Sequence, residues 1–152
     1  MIIIQREKIS DIWEELFPLL INHWEEVEDP FIKEKEVPAP KLERYDSLEQ
    51  KNMFIIITAR DEGKLIGYCG FYLYSHMHYP DQLYAMNDVI FVLPLHRVKN
   101  IGVRLMKYAE KYVKGLGANC ILWEVRDFRN FSPILLRMGY HKQGTVYMQR
   151  FD

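Results

Sequence analysis

The chain has 152 residues, 49% hydrophobic and 27% charged, with a formal net charge of -1. That length can bury a core without staples, and the near-neutral balance argues against a nucleic-acid coat or a basic membrane binder. No apolar run approaches the ~18 residues of a membrane span, and Met1-Ile2-Ile3-Ile4 is too short for a signal peptide, so the cytoplasm is the expected location.

Ile2 to Ile4 reads as a short buried strand. Ser10 is placed to N-cap a helix with Ile12, Trp13, Leu16, Phe17, Leu20, Trp24 and Val27 on one broad face. Pro18 should kink or split that helix. From Glu28 to Asn52, prolines at 30, 38 and 40 among dense charges predict an extended loop, then a short helix near Leu42 to Glu49. Met53–Ala59 and Leu65–Tyr74 flank Asp61-Glu62-Gly63-Lys64 and predict a hairpin. A polar, aromatic loop from Ser75 to Asp81 leads to a further strand ending near Val92.

Beyond Val92 the chain passes through a short basic turn into an amphipathic helix. Ile101, Leu105, Tyr108, Ala109, Tyr112, Val113 and Leu116 form its apolar side, with Gly115 and Gly117 suited to ending it. Cys120 to Val125 reads as the next strand. Ser132 and Pro133 read as cap and first residue of a short helix through Arg137, closed by Gly139. Val146 to Arg150 is the last expected strand. Cys69 and Cys120 each sit in an apolar run and read as reduced core thiols. No repeat, low-complexity tract or linker divides the chain, so one domain over 1–152 is expected. The fold class is α/β or α+β, with a mixed sheet whose middle is antiparallel.

The strand-turn-helix passage from Val92 to Met106 carries the most chemistry. It places open backbone N–H groups and a positive helix-dipole end at one point, which suits a phosphate or pyrophosphate. Gly102 allows close approach of a ligand to the backbone, and Arg97, Lys99 and Arg104 add positive charge. Six basic residues stand between Arg97 and Lys114 against one acid, Glu110; Lys107, Lys111 and Lys114 read better as a solvated helix face.

The strand before the turn contains Asp88, an acid that is costly among apolar neighbours unless paired or useful. Strict alternation puts it on one face with Met86, Ile90 and Val92. Glu124, between Trp123 and Val125, is a second candidate for a buried acid, with a salt bridge to Arg126 or Arg129 as its structural alternative. His76 and His78 flank Met77, but no further cluster completes a metal site, so no metal is expected. Residues 24–50 hold nine acids and four bases, a local balance of -5 that favours a cationic acceptor or is simply a solvated loop.

With these elements placed, Arg97-Val98-Lys99-Asn100-Ile101-Gly102 resembles motif A of the GNAT superfamily of acyl-CoA N-acyltransferases, Arg/Gln-x-x-Gly-x-Gly/Ala. Asn100 replaces the first glycine, an exchange eased by asparagine's tolerance of the left-handed region. Leu135-Leu136-Arg137-Met138-Gly139-Tyr140 is similar to the closing helix and its Gly-Phe terminus, and the element order agrees.

The resemblance implies a GNAT-like, largely antiparallel sheet flanked by helices, with a cofactor cleft where strands four and five splay apart. It implies acetyl-CoA as co-substrate, with its pyrophosphate on the backbone of Arg97, Val98, Lys99, Asn100, Ile101 and Gly102. Val103 would stand at the helix start, and Arg104 close by. The pantetheine would bond backbone groups near Phe91, Val92 and Leu93. The implied reaction is acetyl transfer to a primary amine of a small molecule or a lysine side chain. A general base is implied as well, for which Asp88 and Glu124 are the candidates.

The family's closing-helix tyrosine, a general acid, falls at Leu135. Tyr79, Tyr84 or a water could supply the proton instead, or thiolate departure could need no donor. That departure and the lost glycine leave a second class open, a domain that binds acyl-CoA or a partner without turnover. Paired subunits are common in the family, so a homodimer stays open.

Overall fold

The computed structural model describes residues 1–152. A five-stranded sheet has the order β1 (Ile2–Glu7), β2 (Phe54–Asp61), β3 (Lys64–Ser75), β4 (Leu83–Val92) and β5 (Cys120–Leu122). The first four strands are antiparallel, and β5 runs parallel to β4. Glu62 and Gly63, at φ 47° and 81°, make the tight turn between β2 and β3.

The continuous apolar run of β2 follows from burial on both faces. Ile55, Ile57 and Ala59 pack with Leu105, Ala109 and Val113 of α4 (Ile101–Gly115). Phe54 and Ile56 meet Ile9, Ile12, Leu16 and Leu19 of α1 (Ile9–Val27) on the other side. The short helix α2 (Pro30–Lys33) and then α3 (Leu42–Gln50) follow α1, and α5 (Ser132–Arg137) lies near the C-terminus.

Several local expectations need correction. Pro18 does not split α1, which is helical from Ile9 to Val27. The proline and Glu14, whose carbonyl loses its partner, are both on the exposed side, where water can replace the bond. Ser10 is not the N-cap. The helix begins at Ile9, whose N–H donates to both carboxylate oxygens of buried Glu49 at 3.1 and 3.2 Å. Arg6 compensates that carboxylate at 3.4 Å. A residue 40 positions away therefore supplies the cap.

Helix α5 includes Ser132, while Asn130 Oδ1 accepts from the Ser132 N–H at 2.9 Å. Strand β5 stops at Leu122, short of the expected Val125. Val146 to Arg150 forms no strand. Arg150 is tied instead to Glu36 at 2.8 Å and to Asp152 at 2.6 Å. Alternating side chains signal a tendency to extend, but not a partner to pair with.

Candidate active site

Strand β4 is paired along only part of its outer edge. Its first residues pair with β5 at Tyr84, Ala85 and Met86, where the ladder ends. From Asn87 onward the edge is open. Leu93 N–H donates to Ile66 O at 2.8 Å, so in the alternating antiparallel ladder the backbone groups of Val92 and Ile90 turn toward the open side. Phe91 and Leu93 therefore turn their backbone groups toward β3, and Val92 is the one expected residue of these three on the open edge. Its carbonyl accepts from Arg97 Nε at 2.8 Å.

At the end of β4 a 3-10 turn spans Pro94–Lys99, and Asn100 then adopts φ 54°, ψ 29°. The left-handed residue reverses the chain so that α4 starts with its N-terminus at the mouth of the cleft. The first helical bond runs from Arg104 N–H to Asn100 O at 2.9 Å. The N–H groups of Ile101, Gly102 and Val103 consequently have no partner in the chain, and no side chain caps the helix. A Cβ built on Gly102 would meet nothing within 4 Å. Four features thus fit a bound diphosphate: open amides, the helix dipole, open space at Gly102, and a neighbouring lysine.

The basic side chains behave differently from the sequence expectation. Arg97 makes a bidentate pair with Glu26 of α1, both bonds 2.6 Å, and lies over the Phe91 ring at 5.5 Å. Arg129 joins the same carboxylate at 2.7 Å. Glu26 is held below the usual carboxylate range mainly by its bond from Arg97. Arg104 turns away to Ile2 O at 3.4 Å. Lys99 is exposed and bonded to no acid, so it is the cation beside the open amides. Val98 is 81% exposed, whereas Ile101 is fully buried and anchors the turn.

Asp88 owes its position to an irregularity. The β3–β4 register shifts between Gly70 and Phe71, which pair with Val89 and Asn87, leaving Asp88 as the extra residue. Buried Asn87 stabilises this bulge by donating Nδ2 to Gly70 O at 3.1 Å and Val89 O at 2.9 Å. Simple alternation fails here. Ile90 and Val92 pack toward α4, Val89 and Phe91 toward α1, and Asp88 faces a cavity of about 370 Å³ on the α1 side.

Trp24, Tyr45 and Phe131 form apolar walls of this cavity, and Glu28, Glu124 and Arg126 are among its polar groups. Burial raises the Asp88 pKa above the ordinary value; the nearby Tyr72 hydroxyl opposes this and Glu124 adds to it.

Glu124 is not a buried strand residue. Its side chain is 46% exposed, lies past the end of β5 and pairs with Arg126 at 3.7 Å, although it still lines the cavity. Tyr79 is 55% exposed in the β3–β4 loop, stacked on His76 at 4.8 Å, and does not line the cavity. Leu135 is buried. Tyr140 donates to Glu110 at 2.7 Å, and burial pushes its pKa up to about 12. No three His, Cys, Asp or Glu side chains converge as metal ligands, and no helix is long and apolar enough to cross a membrane.

His23 belongs to no motif of the sequence. It continues the buried stripe Ile9, Ile12, Leu16, Leu19 at helical spacing and lines the cavity that Asp88 faces. That periodicity was the available signal.

A splayed β4–β5 sheet with open helix amides at one end of the cleft and a half-buried acid along it defines an acyltransferase architecture. The pattern of the Acetyltransferase (GNAT) family matches residues 11–140, and the chain belongs to that family. It is 25% identical over 108 residues to the uncharacterized N-acetyltransferase YhfO of Bacillus subtilis, covering 71% of this chain and 67% of that one. The fold is also that of a ribosomal-protein-alanine N-acetyltransferase from Brucella melitensis, at TM-score 0.79, 18% identity, and coverage of 100% and 99%. An aminoglycoside acetyltransferase from a soil metagenomic sample shares it at TM-score 0.75 and 17% identity, covering 99% of this chain and 97% of that one.

Proposed function

We propose that the protein transfers an acetyl group from acetyl-CoA to a primary amine held in the Asp88 cavity. One observation carries this reading: the same open edge of β4 leads from the unpartnered amides of Ile101 to Val103 up to Asp88. Acetyl-CoA brings an activated thioester, whose acetyl carbon takes the amine nitrogen as its thiolate departs. The chain's residues bind, orient and manage one proton.

An ordinary lysine-like amine of pKa about 10.4 is deprotonated at pH 7 at about 4.6 kcal/mol, taking 1.36 per pH unit. Asp88 is placed to take that proton. Its upward shift, caused by burial, makes it a better base than an exposed aspartate. Carboxylates at 28, 88 and 124 give the cavity a surplus of acid over Arg126 and Arg129 and favour a cationic acceptor. The aromatic walls suit its apolar body.

Incubation with acetyl-CoA and a panel of tyramine, spermidine and a lysine peptide, read by mass spectrometry, tests this. Acetylated amine with stoichiometric free CoA is expected. Retained CoA with no acetylated product from any acceptor class would favour a non-catalytic acyl-CoA binder, the reading that Leu135 at the family's tyrosine position supports.

A further inference from the structure

The buried face of α1 carries one polar side chain that the transfer chemistry above does not use. His23 is 9% exposed, stacked on Phe91 at 4.9 Å, and its Nδ1 lies 3.2 Å from the Tyr68 hydroxyl. That hydroxyl has a single proton and two acceptors in reach, Leu19 O at 3.3 Å and Nδ1 itself. When the proton goes to Leu19 O, the hydroxyl accepts from His23 and the imidazole proton sits on Nδ1. Nε2 is then a bare lone pair. It has no hydrogen-bond partner in the chain and is not fully sealed, and its residue lines the cavity. Asp88 faces that same cavity from β4.

We propose that His23 binds the acceptor: Tyr68 fixes the ring with its proton on Nδ1, and Nε2 takes a hydrogen bond from the amine nitrogen beside Asp88. This rests on the reading of the cavity as the acceptor site. A neutral acceptor suits the position for a physical reason. A second carboxylate there would stabilise the ammonium form and make its proton harder to remove, whereas an uncharged imidazole orients the nitrogen with a smaller penalty of that kind. Burial supports the neutral state, lowering the His23 pKa to about 4, with Glu26 opposing and Arg97 and Arg126 adding to the shift.

Nitrogen-15 NMR of the imidazoles in the full chain, with tyramine as the probe amine, tests the proposal without any turnover. Nδ1 of His23 should carry the proton from pH 5.5 to 8, and saturating tyramine should shift Nε2 while leaving that assignment intact. Tyr68→Phe should give a mixture of tautomers. In steady-state assays His23→Asn, which retains only the Nδ1-side group, should raise the KM for tyramine at least tenfold with acetyl-CoA affinity unchanged. His23→Gln, whose amide can stand at the Nε2 position, should stay within about threefold of the parent.

A protonated Nε2 in the free protein, an Nε2 unmoved by tyramine, or equal KM values for the Asn and Gln variants would overturn it. Failure of the transferase reading would be separate: no acetyl-tyramine formed, whatever the state of the His23 ring.

Discussion

The two ends of the cleft are made of different material. The proposed diphosphate end is main chain: three unpartnered amides, a left-handed Asn100 and open space at Gly102, all within four consecutive residues. The proposed acceptor end is side chain, gathered from α1, the α2–α3 segment, β4 and the region after β5. A backbone site requires only that the turn form, so it tolerates changes such as asparagine for glycine at position 100. A side-chain site depends on each element arriving in register, and here on a bulge that turns Asp88 away from the face simple alternation assigns it.

Substitutions should separate these two ends. Asp88→Asn carries the largest expected effect, a fall of about 10²–10⁴ in kcat with acetyl-CoA affinity unchanged in calorimetry. Loss of cofactor binding in that variant would erase the division. Gly102→Val should do the reverse. Its Cβ meets no protein atom within 4 Å, so thermal denaturation should change little while acetyl-CoA affinity drops at least tenfold. An unaffected affinity would remove Gly102 from the cradle.

Glu49→Gln probes the fold beneath both ends. It weakens a buried cap on α1 and an ion pair to Arg6, and should cost about 1–3 kcal/mol in denaturant unfolding. A loss below 0.5 kcal/mol, roughly the scatter for surface sites, would show that the cap is dispensable.

The pH dependence of stability isolates His23. Its folded pKa lies below the ordinary 6.5, at about 4, so the unfolded chain gains the proton first as pH falls. The contribution is complete above pH 6.5 and is lost as pH drops toward 4, amounting to about 3 kcal/mol at most. His23→Gln should flatten the unfolding free energy across that window. Lys99→Ala is the smallest perturbation: an exposed cation beside the amides, whose loss should weaken acetyl-CoA binding by about two- to fivefold, less at high salt.

What could be read from the sequence follows the same division. The hairpin, the α4 face and the turn into it were legible because each depends on neighbours within a few residues. The Asn100 substitution was interpretable because its conformational tolerance is local. The cap on Ile9 was not legible, since Glu49 reaches it only after the chain has folded. Nor was the commitment of Arg97 to Glu26, which depends on where α1 ends relative to β4. Glu124 looked buried because its neighbours are apolar, but β5 stops two residues earlier. His23 was legible in principle from the helical stripe it extends, yet a histidine in that stripe announces no role until Tyr68 is seen beside it.

The most direct measurement is a backbone amide NMR titration of the protein with coenzyme A. Saturable shifts at Ile101, Gly102 and Val103, much larger than those at Asp88 and His23, are the expected result. Unchanged amide signals at those three residues in the presence of excess coenzyme A would contradict the account.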